Sequence, residues 1–290
     1  TRCSRDWRSD VCSSDLAPEQ EVMKLWQGLG YYSRARNLHG TAKTIVTDYQ
    51  GVFPKTYESI KSLKGIGDYT AAAIASFAYN LPHAVVDGNV YRVLARLFSI
   101  STPIDSTAGK KEFATLAQKL LDKKDPAIHN QAIMELGAIV CKPAQPDCEK
   151  CPLMIQCDAY NKGIVSHFPV KENRVKVTNR YFNYLMIRHK DSFYINHRNE
   201  NDIWKNLFDL PLIETTEAIA PELLVKTTGW KDLFGIQLVH IEKVRSFKVH
   251  KLSQQHLHTT FYNVTIQKSP TSPIWKKFVK VNPQSIENYP

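Results

Sequence analysis

The sequence predicts a mainly α-helical domain followed by a smaller α+β domain, and three observations predict it. From Glu19 to about Val140 the apolar residues recur near the 3.6-residue helical period. From Tyr181 onward the period changes to two, the mark of strands with one buried face. Between the two regimes stand four cysteines within 17 residues, Cys141, Cys148, Cys151 and Cys157, a density that points to a metal held in a reducing compartment.

The elements follow in order. Glu21 to Trp26 opens the helical region. Ala35 to Tyr49 places Leu38, Ala42, Ile45, Val46 and Tyr49 on one helical stripe. Tyr57 to Leu63 is a short helix after Pro54, and Tyr69 to Tyr79 an alanine-rich one stopped by Asn80-Leu81-Pro82. Gly88 to Phe98, Ala108 to Leu121 and Pro126 to Cys141 complete a helical domain spanning 17–140. The cysteine loop occupies 141–157, and the polar, basic stretch 158–178 reads as a linker. In the second domain, 179–290, strands are expected at Tyr181 to Arg188, Phe193 to Arg198, Val239 to Phe247 and Thr259 to Gln267, with a helix at Pro221 to Lys226. Residues 1–16 (TRCSRDWRSDVCSSDL) follow neither period and are read as a non-native leader, Cys3 and Cys12 with them.

Composition narrows the function classes. Lysine and arginine total 38 against 28 acids, a net charge of +10 with pI near 9.2. Such a balance favours a polyanion, most commonly nucleic acid, although a solvated basic surface has the same composition. No apolar run long enough to span a bilayer and no apolar leader segment is seen, so a cytoplasmic chain with no membrane contact is expected. Six cysteines in 290 residues do not make a secreted disulfide scaffold.

Three motifs carry chemistry. The cysteines follow C-x6-C-x2-C-x5-C, a single C-x2-C knuckle where zinc ordinarily takes two, and a spacing unlike that of ferredoxins. Leu63-Lys64-Gly65-Ile66-Gly67-Asp68-Tyr69 joins two helices, and its glycines let backbone amides approach a phosphate beside a helix N-terminus, or form an ordinary turn. Asp87, in Val85-Val86-Asp87-Gly88-Asn89, precedes a helix; it is an N-cap by position and a catalytic carboxylate if the surroundings supply a substrate.

The cysteine spacing just after a helix, with the Gly65/Gly67 hairpin upstream, resembles the endonuclease III superfamily of helix-hairpin-helix DNA glycosylases. That resemblance implies a [4Fe–4S] cluster on Cys141, Cys148, Cys151 and Cys157, structural or DNA-sensing rather than the seat of chemistry. It also implies phosphate anchoring at Gly65 and Gly67, with Lys142 and Lys150 suited to phosphate contacts, and a catalytic role for Asp87 against the positive charge that develops on the sugar. Glycosylase-lyases place a Schiff-base lysine where this chain has Tyr69, so base removal without strand cleavage is implied. The segment Gln27-Gly28-Leu29-Gly30-Tyr31-Tyr32 is similar to the adenine DNA glycosylase branch, the MutY family, which excises adenine mispaired with 8-oxoguanine or guanine. In that family Leu29 and Tyr31 match residues that probe the opposite base, and Tyr69, Asp87 and Asn89 match active-site positions. The partner implied is double-stranded DNA with an A:8-oxoguanine mismatch, bound by a monomer on the bacterial nucleoid.

The same resemblance makes the second domain Nudix-like, recognising 8-oxoguanine without a Nudix hydrolase box. Ser253, in Leu252-Ser253-Gln254, matches the middle of that family's Phe-Ser-His loop, from which leucine and glutamine depart. His250, His256 and His258 around it suit a strand face better than a metal site. Ile203 to Pro211 resembles a W-x-x-L-x-x-x-P segment of that domain, whose simplest role is core packing.

One expected part is not found. The family protonates adenine through a glutamate on a helix well before Gln27, and neither Glu19 nor Glu21 matches it; Glu135 reads as a solvated or paired side chain. The sequence therefore reads as an N-terminally truncated adenine glycosylase with a damaged helical core and impaired turnover. The alternatives are another mismatch glycosylase of the superfamily, against which the second domain argues, and a cluster-bearing DNA-binding module without catalysis.

Overall fold

The computed structural model describes residues 16–173, 176–235, 239–268, 270 and 273–290. The proposed leader lies outside these except at Leu16. Two compact units result: residues 40–174 form one, and 16–39 with 175–290 form the other. The first 24 described residues thus group with the second unit.

The helices, in chain order, are α1 (Glu19–Leu25), α2 (Tyr32–Tyr49), α3 (Tyr57–Lys61), α4 (Asp68–Tyr79), α5 (Gly88–Leu97), α6 (Thr107–Leu120), α7 (Pro126–Glu135) and α8 (Asp158–Asn161). Their ends carry the expected chemistry. Thr56 accepts the Ser59 amide at the start of α3, and Ser106 accepts that of Gly109 at the start of α6, at 3.3 and 2.9 Å. Helix α4 stops because Asn80 turns left-handed and Leu81 N–H reaches back to the Ala75 carbonyl, just before Pro82.

The core of the first unit is built on α5. Val90, Leu94 and Ala95 pack with Phe113 and Ala117 of α6 and with Ala159 and Phe168. The last two come from the stretch expected as a linker; its apolar residues instead close the underside of α5. The helix expected from Pro126 to Cys141 is α-helical only to Glu135, and then widens into a π-turn over Leu136–Val140. The widened turn lets Gly137 lie against the backbone of Asn89, so tightly that an added Cβ would stand 2.6 Å from the Asn89 Cβ.

In the second unit one eight-stranded mixed sheet contains β1 (Thr178–His189), β2 (Ser192–His197), β3 (Phe208–Asp209), β4 (Leu212–Thr215), β5 (His240–Ser246), β6 (His250–Lys251), β7 (Gln255–Thr265) and β8 (Phe278–Val281). Strand β1 is central and pairs in parallel with β7, Tyr181 beside His258 and Leu185 beside Tyr262. The remaining pairings are antiparallel, including that of β1 with β2. One sheet face buries Leu185, Ile187, Tyr262 and Val264 under α9 (Pro221–Leu224), α10 (Thr228–Phe234) and Trp275. The other buries Phe182, Tyr184 and Leu257.

Candidate active site and cysteine cavity

Asp87 opens α5 from an extended backbone. Its Oδ1 accepts the amides of Asn89 and Val90, each at 2.8 Å, and its Oδ2 accepts the Asn89 side-chain N–H at 3.0 Å. The cap is therefore real, and the half-buried carboxylate is oriented by three donors at the positive end of a ten-residue helix.

The rest of α5 runs from Asp87 to the cysteines. Arg92 and Arg96 are buried, one turn apart on the same helix. Arg92 donates from Nη2 to Asn89 Oδ1 at 2.8 Å and to the Gly137 carbonyl at 2.6 Å, and from Nε to the Cys141 carbonyl at 2.7 Å. Burial lowers the Arg92 pKa from its ordinary value, partly offset by the nearby Cys141 and Asp87. Arg96 donates from Nη1 to Cys141 Sγ at 3.3 Å and to the Lys142 carbonyl at 2.8 Å. Asp87, Asn89, Arg92 and Cys141 thus form one continuous hydrogen-bonded chain. The arginines were not singled out from sequence. The available signal was two arginines spaced i, i+4 within an otherwise apolar helix.

Cys141, Cys148, Cys151 and Cys157 line a single small cavity together with Arg96, Met154 and Tyr160. All four are half-buried free thiols. Burial, then the neighbouring Cys141 and Cys157, pushes the Cys148 thiol up. Crowded thiols of this kind gain from a metal that takes them as thiolates, and Arg96 is placed to offset the added negative charge. Among the described residues no three His, Cys, Asp or Glu side chains are gathered closely enough to chelate one metal ion. Lys142, expected at phosphate, pairs with Asp147 at 2.9 Å.

The α3–α4 hairpin presents Gly65, in the left-handed region at φ +81°, and Gly67, the residue before α4. Lys61 Nζ lies 2.5 Å from Asp68 in the first turn of α4, and Tyr57 donates its hydroxyl to the same carboxylate at 3.1 Å. The two contacts hold the Asp68 carboxyl below the ordinary carboxylate range. Tyr69 is partly exposed and lines a cleft of about 630 Å³ with Tyr57, His83, Val86, Tyr91 and Gln118. Tyr57 stacks on His83 at 4.3 Å. Val86, the neighbour of Asp87 in the chain, lines the same cleft as Tyr69, and direct hydrogen bonds bring Asp87 and Asn89 together.

In the second unit Leu29 and Tyr31 are 69% and 68% exposed on the turn between α1 and α2. Tyr31 adopts a left-handed φ of +48°, a strained backbone for a tyrosine, and Arg34 lies over its ring at 4.7 Å. Ser253 is exposed in the β6–β7 turn. Of the three histidines near it, His258 stacks on Tyr181 and bonds Asn179 at 3.0 Å, a strand-face arrangement.

Two family profiles match the chain: "HhH-GPD superfamily base excision DNA repair protein" over residues 14–123 and "NUDIX domain" over 183–290. The chain is 32% identical over 265 residues to an adenine DNA glycosylase of Buchnera aphidicola subsp. Baizongia pistaciae, covering 89% of this chain and 68% of that one. It is 46% identical over 151 residues to the adenine DNA glycosylase of Homo sapiens, covering 52% of this chain and 27% of that one. Among solved structures it is similar to a thermostable thymine-DNA glycosylase, at 31% identity and TM-score 0.49, covering 52% of this chain and 70% of that one.

The fold and site define a base excision DNA glycosylase, a helix-hairpin-helix domain joined to a Nudix-like domain. More narrowly, the chain belongs to the adenine DNA glycosylase family.

Proposed function

We propose that this chain is a monofunctional glycosylase that removes adenine mispaired with 8-oxoguanine or guanine in double-stranded DNA. The observation that carries the reading is Asp87. Its carboxylate is oriented by three N–H donors at a helix start, ready to oppose the positive charge that grows on the deoxyribose as the base leaves. Asn89 fixes its second oxygen, and Tyr69, standing where a lyase needs lysine, offers no amine for a Schiff base. Gly65 and Gly67 anchor a phosphate through their amides. Leu29 and Tyr31 act as wedge and stacking plate beside the base opposite the target, and Ser253 of the Nudix-like domain contacts 8-oxoguanine.

We further propose that Cys141, Cys148, Cys151 and Cys157 hold a [4Fe–4S] cluster. The C-x6-C-x2-C-x5-C spacing, with a single C-x2-C knuckle, and the four thiols around one cavity support this reading. When bound, the cluster supplies a rigid, charged loop that ties Cys141 to the Arg92 end of the Asp87 chain. The proposed setting is a monomer on nucleoid DNA in the bacterial cytoplasm. No helix among the described residues is long and apolar enough to cross a membrane.

The test is single-turnover cleavage of duplex with A opposite 8-oxoguanine, followed by alkaline scission of the abasic strand. Adenine release without strand scission before alkali is the expected result. Tight binding with no release identifies a DNA-binding module instead. Broad absorbance near 400 nm with about four irons per chain is expected for the cluster, and stoichiometric zinc would refute it.

A further inference from the structure

Two elements assigned above to the base opposite the target, the Leu29–Tyr31 turn and the Ser253 turn, lie far apart in sequence but are flanked by residues of two packing clusters that have Trp204 in common. The Leu29–Tyr31 turn is shaped by its flanking aromatics. Trp26 donates its indole N–H to the Gly30 carbonyl at 3.0 Å, and the Tyr32 hydroxyl accepts the Gly28 amide at 3.2 Å. Both rings then pack on the cluster of Met23, Ala35 and Leu207, and Trp204 packs on that same cluster. On its other side Trp204 belongs to the cluster of Phe182, Tyr184 and Leu257, which also includes Leu252, the residue before Ser253.

Trp204 is itself held hard. The loop carrying it is closed by hydrogen bonds from Arg198 N–H to the Leu207 carbonyl and from Asn206 N–H to the Arg198 carbonyl, at 3.0 and 2.8 Å. The Arg198 guanidinium lies 5.5 Å from the Trp204 ring, and buried ion pairs of 2.6 Å to Asp202 and Asp209 fix it there. Phe182 meets the indole edge-on at 6.2 Å. Arg36 of α2 donates to the Lys205 carbonyl at 2.8 Å, next to the tryptophan.

We propose that Trp204 is a positioning residue that couples the Leu29–Tyr31 turn to the Ser253 turn, so that the two probes of the opposite base act as one unit. The proposal rests on the functional reading above and adds to it a specificity determinant that touches no DNA. Packed side chains transmit such coupling when they are rigid on both sides, and coupling is measured only by non-additivity.

The test is binding by the full chain. Duplexes carry 2′-fluoro-deoxyadenosine, which resists excision, opposite 8-oxoguanine or guanine, and the readout is the ratio of the two Kd values. L29A, S253A and the double variant are compared in the native and W204L backgrounds. In the native background the double variant is expected to lose less than the product of the two single losses. In W204L the ratio is expected to fall by at least about threefold, and the two losses to become independent factors, with affinity for the guanine duplex unchanged. Should W204L not fold, W204F carries the same comparison, because it keeps an aromatic plate but vacates part of the packing between the two clusters.

A native ratio retained in the Trp204 variants, or losses that multiply independently in every background, overturns the coupling alone. A native chain with no preference for 8-oxoguanine overturns the functional reading and the coupling with it.

Discussion

Arg92 stands between the Asp87 carboxylate and the cysteine loop: one guanidinium donates to Asn89 Oδ1 at 2.8 Å and to the Cys141 carbonyl at 2.7 Å. Because the group is buried, removing it strands two carbonyls as well as the Asn89 amide. R92M keeps the stem and deletes the donors. It is expected to lower stability by about 3 kcal/mol, the cost of uncompensated buried acceptors, and to reduce iron content and adenine release together. Urea midpoints, iron analysis and single-turnover rates check this. R92M with full iron and unchanged rate would mean that the chain of hydrogen bonds transmits nothing.

Asp87 has two roles that a single substitution can separate. Asparagine keeps the two cap bonds to the Asn89 and Val90 amides but turns its own N–H toward the Asn89 side-chain N–H, so D87N costs about 0.5 kcal/mol or a little more through that one lost bond. On the proposed function it removes the negative charge that opposes the positive charge growing on the sugar, so adenine release should fall by at least about 100-fold, the scale of losing one electrostatic stabiliser. D87A should lose activity likewise and stability by about 1 kcal/mol. Thermal melts of both variants beside their single-turnover rates are the check, and an active D87N leaves only the cap.

How much of this was legible in the sequence depends on the length of the signal. Helices α4, α5 and α6 announced themselves by period and cap, and the alternation of β1 and β2 by apolar spacing. The small strands β3, β4, β6 and β8 are two to four residues long and gain their identity only from partners distant in sequence. Helix α10 was missed because Thr228–Phe234 is too short to show a period, although Thr227 caps it. The cysteines and Asp87 were readable because their spacing is local. Arg92 and Gly137 were not, because their roles are contacts 45 residues or more away; the Trp204 segment was readable as core packing, but its membership of two packing clusters at once was not.

The end of the first unit is tied down by Asp105, whose two oxygens accept the amides of Glu172 and Asn173, each at 2.9 Å. Those amides hold its carboxyl below the ordinary value of 3.8. A depressed pKa stabilises the fold fully above the unfolded-state value, and that contribution is lost as pH falls through the lower folded-state value. Exchange protection of the Glu172 and Asn173 amides should therefore be constant from neutral pH down to the ordinary carboxylate value, and fail only below it. D105A should show no protection at any pH. Amide exchange of these two residues is the measurement, and loss of protection above pH 4.5 in the native chain would contradict it.

Gly137 tests whether the π-turn matters for its shape. An added Cβ would meet Asn89 Cβ at 2.6 Å and the Asn89 Cα and carbonyl oxygen at 3.0 Å. Two of these are backbone atoms of the helix that Asp87 caps, so the clash cannot be relieved by a rotamer change. Either α5 moves and carries Asp87 with it, or the π-turn moves and breaks the Arg92 contact to the Gly137 carbonyl. G137A should therefore destabilise by about 1–3 kcal/mol, the range for overpacking a tight contact, and slow adenine release more than it weakens duplex binding. A138G, one residue along on the exposed side, controls for the change in helix propensity. If G137A matched the native chain in both melting and rate, the turn would have room to spare, and the close approach of α5 to the cysteine-bearing segment would carry no functional weight.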